Sequence, residues 1–322
     1  MSIPVIPVRV VKKIAETTDI CTFELAEIDG AKLPSFSPGS HIDVHIGKDL
    51  VRQYSLCNNS SETHRYLIGV LRDPNSRGGS RAMHDNINEN DVINISVPKN
   101  HFPLLDNAKR SLLLAGGIGV TPILCMAERL ALIGSDVEMH YSARSPARMA
   151  FRQRISASTF ANRVHFHFDD GNKQQKLNLD DLLRTPGQDV HLYVCGPKGF
   201  MEVVLATARK SGWQEAQLHY EFFSAEVVKT DRDTAFQVML ARSGRIIDVS
   251  PNTTVTKALA AAGIDIPVSC EQGICGTCLT HVVEGVPDHR DMYLTDEEKA
   301  QNDQFTPCCS RSCSPILVLD LD

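Results

Sequence analysis

"CEQGICGTC", residues 270–278, sets Cys270, Cys275 and Cys278 in the spacing C-x4-C-x2-C. Gly273 and Gly276 permit positive φ and close backbone approach, and Thr277 adds little bulk. A loop of this composition suits a chain wrapped around a compact group, with backbone N–H groups turned towards sulfur. Downstream, "TPCCSRSC" (306–313) supplies Cys308, Cys309 and Cys313, which follow Cys278 after 29, 30 and 34 intervening residues. Neighbours in an extended chain point to opposite sides, so Cys308 and Cys309 are not expected to ligate one metal ion together.

A tight triplet with one distant fourth thiol is the ligand pattern of plant-type [2Fe–2S] clusters. Zinc more commonly pairs two short Cys or His knuckles, and a third reading is a set of buried free thiols. The triplet-plus-one spacing favours iron–sulfur. The other four cysteines, Cys21, Cys57, Cys125 and Cys195, are scattered through the 322 residues, unlike the even stapling of a small secreted scaffold. The start, "MSIPVIPVRVVKK", lacks a basic leader, and Pro4 and Pro7 interrupt its apolar run, so no signal peptide is expected. No apolar run reaches the length of about 18 residues that a membrane span needs. A cytoplasmic protein is the expectation.

Upstream of the cysteine loop, residues 1–105 read as short strands broken by "FSPGS", "DPNSRGGS" and "VPKN", a pattern that suits an antiparallel β-barrel. Residues 106–225 alternate strand and helix: "SLLLAGG" (111–117), "TPILCMAERLALIG" (121–134), "VEMHYSA" (137–143), "RVHFHFDDG" (163–171) and "HLYVCGP" (191–197), then the helical "GFMEVVLATARKSG". That alternation implies a parallel-sheet α/β domain. The polar stretch 224–234 reads as a linker, with 226–234 its core. From 235 onwards come a hairpin around Ser243-Gly244, a short helix in "TTVTKALAAAG" and a closing strand in "PILVLDL". The fold class is thus multidomain α+β. Residues 235–322 hold 12 Asp and Glu against 6 Lys and Arg, so all of the net charge of −6 lies there. That end is unsuited to nucleic acid, and an acidic module can be steered to a basic protein partner.

"AGGIGVTP" (115–122) ends a strand and opens a helix, where backbone amides can reach a pyrophosphate. "CGP" (195–197) ends a later parallel strand, and ligands of such sheets bind at the carboxyl ends of strands. "RQYSL" (52–56) offers a cation, an aromatic ring and a hydroxyl. Arg52 suits phosphate, Tyr54 a planar ring and Ser55 a ring heteroatom, although a plain barrel strand carries the same letters. "RGGS" (77–80) offers a second phosphate cradle.

In this order, RQYSL, RGGS, GGIGVTP, CGP and C-x4-C-x2-C with a final cysteine, the chain resembles the phthalate dioxygenase reductase family over essentially its whole length. The resemblance implies three parts: an antiparallel flavin-binding β-barrel (1–105), a nicotinamide-binding α/β domain (106–225) and a C-terminal β-grasp plant-type ferredoxin (235–322). It implies that Arg52, Gly79 and Ser80 hold the flavin phosphate, with Gln53, Tyr54 and Ser55 at the isoalloxazine. Phe223, in "HYEFFSA" (219–225), would be the aromatic beside the flavin; packed core is the competing reading. Gly116, Gly117, Gly119, Thr121 and Pro122 would line the nucleotide site, with Cys195, Gly196 and Pro197 near the nicotinamide. Cys308, opening C-C-S-R, would be the fourth cluster ligand beside Cys270, Cys275 and Cys278. Cys309 would then be packed away from the cluster and Cys313 incidental. FMN is implied, with FAD not excluded by any motif. NADH is implied too, while Arg144 and Arg148 leave a 2′-phosphate open.

These readings describe an NADH-dependent flavin iron–sulfur reductase feeding a separate terminal oxygenase with a Rieske centre and non-haem iron. The chain holds no C-x-H pair of the kind a Rieske centre uses, so electrons must leave it. The oxygenase acting on an aromatic acid or a quaternary amine is left open. A zinc-holding binding module and a stand-alone flavin reductase are the rival classes.

Overall fold

The computed structural model describes residues 5–47, 50–76, 78–223 and 233–321. The chain divides after Phe223 into two compact units.

The first unit carries two sheets. Strands β1 (Val5–Ala15), β2 (Ile20–Glu27), β3 (Ser40–Gly47), β4 (Leu50–Ser55), β5 (Tyr66–Leu71), β6 (Val92–Ser96) and β7 (Lys99–Asn100) pair antiparallel. Their order is β4-β3-β6-β1-β2-β5, with β7 on β3. A bridge from Leu56 to Ile68 ties the two end strands together, so the sheet nearly closes into a barrel. Alternate residues point inward as the pleat requires: Val8 and Val10, Phe23 and Leu25, Ile42 and Val44 are all fully buried. One helix, α1 (Gly79–Asn86), was not expected from the sequence of this region. Its "GSRAMHDN" buries only Gly79 and Met83, too sparse an apolar pattern to show a helical period.

The second sheet is wholly parallel: β8 (Arg110–Gly116), β9 (Asp136–Ala143), β10 (Val164–Phe168), β11 (Val190–Cys195) and β12 (Leu218–Glu221), in the order β10-β9-β8-β11-β12. Helix α2 (Val120–Leu132) covers one face, packing Val120, Ile123 and Leu124 with Leu113, Met139 and Tyr141. The helix Lys198–Lys210 covers the other, packing Met201, Val204 and Leu205 with Leu112, Leu114 and Val194. The strand order reverses between β8 and β11, which makes their carboxyl ends the crevice where such sheets take ligands. Barrel and parallel sheet share packing, with Ile20, Leu67 and Phe102 in the same apolar cluster as α2.

The second unit is built on β13 (Phe236–Leu240), β14 (Ile246–Val249), β15 (Thr280–Glu284), β16 (Pro287–Asp288), β17 (Gln304–Phe305), β18 (Arg311–Ser312) and β19 (Ile316–Leu319). The main sheet runs β14-β13-β19-β15-β17, with β13 and β19, the first and last strands, paired in parallel. The hairpin turns at Gly244, at φ 69°, and the helix Val255–Ala261 is capped by Thr254, whose side chain accepts from the Lys257 N–H. Helix and sheet enclose Phe236, Val238, Leu259, Phe305 and Leu317, a β-grasp arrangement. The fold class read from the sequence, multidomain α+β, matches this architecture. Of the expected linker 226–234, only Asp233 and Thr234 fall among the described residues; the others, like Arg77 of RGGS, lie outside them.

Candidate electron-transfer sites

Each site is made where a loop leaves a regular element. In the second unit the loop after the Val255–Ala261 helix brings Cys270, Cys275 and Cys278 together, and the turn after β17 adds Cys308. Cys270 accepts hydrogen bonds from the Cys275 and Cys308 thiols, and Cys308 also reaches Cys278 and Cys309. Backbone N–H groups of Gln272 and Ile274 lie 3.4 Å from Cys270 Sγ. The hydrogen bonds received from Cys275 and Cys308 hold the Cys270 thiol far down, at about 2. Its hydrogen bond to Cys270, together with burial, pushes Cys275 up, and Cys308 is pushed up by the same kind of contact. The Cys270 thiolate is thus favoured and those of Cys275 and Cys308 are opposed. Only cations among the four sulfurs would let all of them ionise, which is the demand a ferric cluster meets. The donor set therefore fits a [2Fe–2S] group.

Cys309 is buried beside this nest. Its Sγ is 3.3 Å from Thr306 Oγ1, and a Cβ on Gly273 would fall 2.4 Å from that sulfur. Cys313 is exposed. The loop is held from above by Asp291, which the sequence reading did not single out. Its enclosed carboxylate accepts from the backbone N–H groups of Tyr293 (3.1 Å) and Leu294 (2.8 Å), while the Met292 N–H donates to Gly273 O at 2.9 Å. A Cβ on Gly276 would lie 2.2 Å from the Tyr293 ring, so no larger residue fits under that strip.

In the first unit, β8 and β11 meet at their carboxyl ends through glycine backbone, with the Phe200 and Pro197 rings packed against Gly116. A Cβ on Gly119 would lie 2.3 Å from Cys195 O and 2.6 Å from Gly196 N, and one on Gly196 would lie 3.0 Å from Gly116 Cα. Gly117 stands at φ 53° with open space around its Cα. Thr121 is buried, its hydroxyl donating to Ile118 O at 3.0 Å, and Pro122 is buried in α2 behind it. Pro197 precedes the Lys198–Lys210 helix, with its ring against Gly116. Cys195 is fully buried, and burial pushes its thiol well up, so it is a neutral group here.

On the barrel, Arg52 and Tyr54 share one face of β4, paired opposite Val44 and Ile42. Arg52 lies over the start of α1: a Cβ on Gly79 would come within 2.4 Å of Arg52 Cγ and 2.8 Å of Nε. The guanidinium thus lies against the first turn of that helix, with Nη1 donating to Val51 O at 2.7 Å. Ser80 Oγ accepts from the Asp73 N–H at 3.2 Å. Gln53 is turned the other way, its amide donating to Asp43 Oδ1 at 3.1 Å. The Tyr54 ring packs on the barrel core, and burial pushes its phenol up. Phe223 is exposed at the end of the unit, whereas its neighbour Phe222 is partly buried and packs against the apolar cluster beneath the Lys198–Lys210 helix.

Ser55 joins the two sheets' sites. Its hydroxyl donates to Glu221 Oε2 at 3.3 Å, and Glu221, the last residue of β12, is paired in register with Cys195. Burial raises the Glu221 carboxyl to about 8, against the hydrogen bond from Ser55. Sequence reading missed Glu221, although a lone acid closing an aromatic parallel strand in "HYEFF" was a visible signal.

The chain can now be set beside known proteins. Residues 238–313 match the family model of the 2Fe-2S iron-sulfur cluster binding domain. The chain is 54% identical to a vanillate O-demethylase oxidoreductase of Pseudomonas putida over 97% of its own length and 98% of that protein's. It is 38% identical to a phthalate dioxygenase reductase of Burkholderia cepacia, covering 94% and 93% of the two chains. A solved structure of phthalate dioxygenase reductase, described as modular for electron transfer from pyridine nucleotides to [2Fe-2S], superposes with a TM-score of 0.78 at 36% identity over 98% of both chains. Among the described residues no helix is long and apolar enough to cross a membrane. With 38–54% identity over nearly the whole of both chains and a near full-length superposition, the chain belongs to the phthalate dioxygenase reductases, the flavin iron–sulfur oxidoreductases that serve as reductase components of oxygenase systems.

Proposed function

We propose that this chain is the cytoplasmic, NADH-dependent reductase of a Rieske-type O-demethylase acting on vanillate or a related methoxybenzoate, with FMN as its flavin. The near full-length 54% identity to a vanillate O-demethylase oxidoreductase carries the reading. When bound, the nicotinamide supplies a hydride, the flavin exchanges two electrons for single ones, and the [2Fe–2S] cluster passes single electrons on.

The protein's own residues supply position and environment. Arg52, Gly79 and Ser80 would anchor the flavin phosphate, and Gln53, Tyr54, Ser55 and Phe223 would border its ring. Gly116, Gly117, Gly119, Thr121 and Pro122 would admit the nucleotide, with Cys195, Gly196 and Pro197 at the nicotinamide. Cys270, Cys275, Cys278 and Cys308 would ligate the cluster. Glu221, protonated at neutral pH, keeps a fixed negative charge away from this junction and leaves Ser55 Oγ a neutral partner. The acidic excess of residues 235–322 favours a terminal oxygenase with a basic docking face.

The test is reconstitution. Purified holoprotein and NADH are mixed in turn with a vanillate demethylase oxygenase, a phthalate-type dioxygenase and a quaternary-amine oxygenase, and substrate loss is followed. Turnover only with the first supports the proposal. Preferential turnover with either other oxygenase would replace the substrate assignment, and NADH-driven release of free reduced flavin with no oxygenase turnover would replace the function.

A further inference from the structure

Away from these sites, the edge strand β10 and its neighbour β9 gather three imidazoles around one carboxylate. Glu138 and His140 share a face of β9, and the parallel register sets His165 beside His140. The two rings stack with centroids 4.7 Å apart and an interplanar angle of 23°. Both turn Nε2 towards the same oxygen: Glu138 Oε1 is 3.1 Å from His140 Nε2 and 3.3 Å from His165 Nε2. The other carboxylate oxygen is held by Arg110.

The proton positions follow from the end of the chain of contacts. His167 Nδ1 faces the Gln175 carbonyl at 3.2 Å, and a carbonyl only accepts, so Nδ1 carries the hydrogen. The Nε2 of a neutral His167 is then an acceptor, and it lies 2.9 Å from His140 Nδ1, which must donate. The Nε2 of a neutral His140 is left as a lone pair aimed at a carboxylate oxygen 3.1 Å away. Two acceptors face each other at hydrogen-bond distance, which requires a cation or an added proton between them.

We propose that Glu138, His140 and His165 form a binding site for a divalent transition-metal ion of the zinc type, with water completing its coordination. Metal–ligand bonds of about 2.0–2.1 Å in a tetrahedron set ligand atoms about 3.3–3.4 Å apart. The two nitrogen–oxygen separations here are 3.1 and 3.3 Å, and all three ligand atoms lie within 4.8 Å of one another. His140 is nearly enclosed while His165 is 51% exposed, so the site is anchored on one side and open to solvent on the other. His167 supplies the outer hydrogen bond that fixes a ligating histidine's tautomer. A bound ion would clamp the edge strand β10 onto β9 and stabilise the parallel sheet by mass action.

The experiment uses the full holoprotein, flavin and cluster loaded, dialysed to equilibrium against micromolar Zn²⁺ and assayed for metal and for melting temperature. One zinc per chain beyond the iron, with a raised melting temperature and unchanged cluster absorbance, is expected. Glu138→Gln and His165→Ala should each lose that equivalent, and His167→Phe should weaken it about 10- to 100-fold. These three side chains are partly exposed, so the variants test binding without emptying the core. No zinc uptake by the unaltered protein, equal uptake by Glu138→Gln and His165→Ala, or uptake that bleaches the cluster would each overturn the proposal.

Discussion

Gly119→Ala is the most informative single change in the first unit. Gly119 has an ordinary φ of −60°, so alanine meets no backbone strain there. What it meets is matter: its Cβ would sit 2.3 Å from Cys195 O, 2.4 Å from Cys195 C and 2.6 Å from Gly196 N. Ordinary contact begins near 3.4 Å, so the two strand ends must part by about 1 Å, and neither obstacle is a side chain that can swing aside. Overpacking of this kind costs about 1–3 kcal/mol, which for a unit of this size lowers the melting temperature by roughly 2–10 °C. The functional effect is larger, because a displacement of about 1 Å at a binding junction can cost on the order of 100-fold in rate. The assay is NADH oxidation with ferricyanide as acceptor, alongside thermal melting followed in the far ultraviolet. Gly134→Ala is the control: at φ 72° with nothing within 4 Å, it carries a backbone penalty of about 1–2 kcal/mol but displaces nothing. Gly119→Ala should raise the NADH KM or lower kcat at least tenfold, Gly134→Ala should do neither, and both should melt early. If Gly119→Ala keeps the parent KM and kcat, the glycine junction is not where the nucleotide binds.

Gly79→Ala should separate binding from stability: its Cβ presses only on the flexible Arg52 side chain, so melting of the apoprotein should shift little while flavin dissociation, followed by fluorescence, rises several-fold. Cys308→Ser should lose or badly damage the cluster's visible absorbance, whereas Cys309→Ser and Cys313→Ser should keep it; equal loss in Cys309→Ser would move the fourth ligand. Glu221→Gln should flatten the pH dependence of stability. The folded chain keeps the Glu221 proton up to about 8 while the unfolded chain loses it near 4.5, so stability falls as pH rises through that window. The slope is about 1.4 kcal/mol per pH unit at most, and a denaturant series from pH 5 to 8 in both proteins measures it.

The legible parts of this molecule were those whose geometry is local in sequence. Cys270, Cys275 and Cys278 announce their loop because ligand spacing within nine residues is itself the geometry. Four of the five parallel strands and the two long helices of 106–223 were equally plain, since buried parallel strands and apolar helix faces write their periods into the chain; β12 and the short helices Arg152–Ser156 and Leu179–Leu182 were not read. Helix α1 was hidden because only two of its eight residues are buried, Gly79 and Met83. Glu221 was hidden for another reason: its partner Ser55 is 166 residues away, and nothing local says that a barrel strand and the last parallel strand will meet. Asp291 likewise spends its carboxylate on the backbone of Tyr293 and Leu294, a bond that any exposed turn aspartate could also make.

The glycines show two different demands, and only one of them can be read without a structure. Gly276 combines positive φ with a ring 2.2 Å from where its Cβ would be, and its place between two cysteines already marked it. Gly119 belongs to the GGIG turn but needs no positive φ; what excludes a side chain there is a strand end 76 residues further on that passes against it. A "GGIG" turn therefore signals a nucleotide site only through the partner that excludes its side chains, the "CGP" at the end of β11. The backbone closeness at the switch point and the four-sulfur nest are made by glycines and thiols rather than by a paired acid and base. They suit a chain whose own groups hold electron carriers in place and leave recognition of the oxidised substrate to another protein.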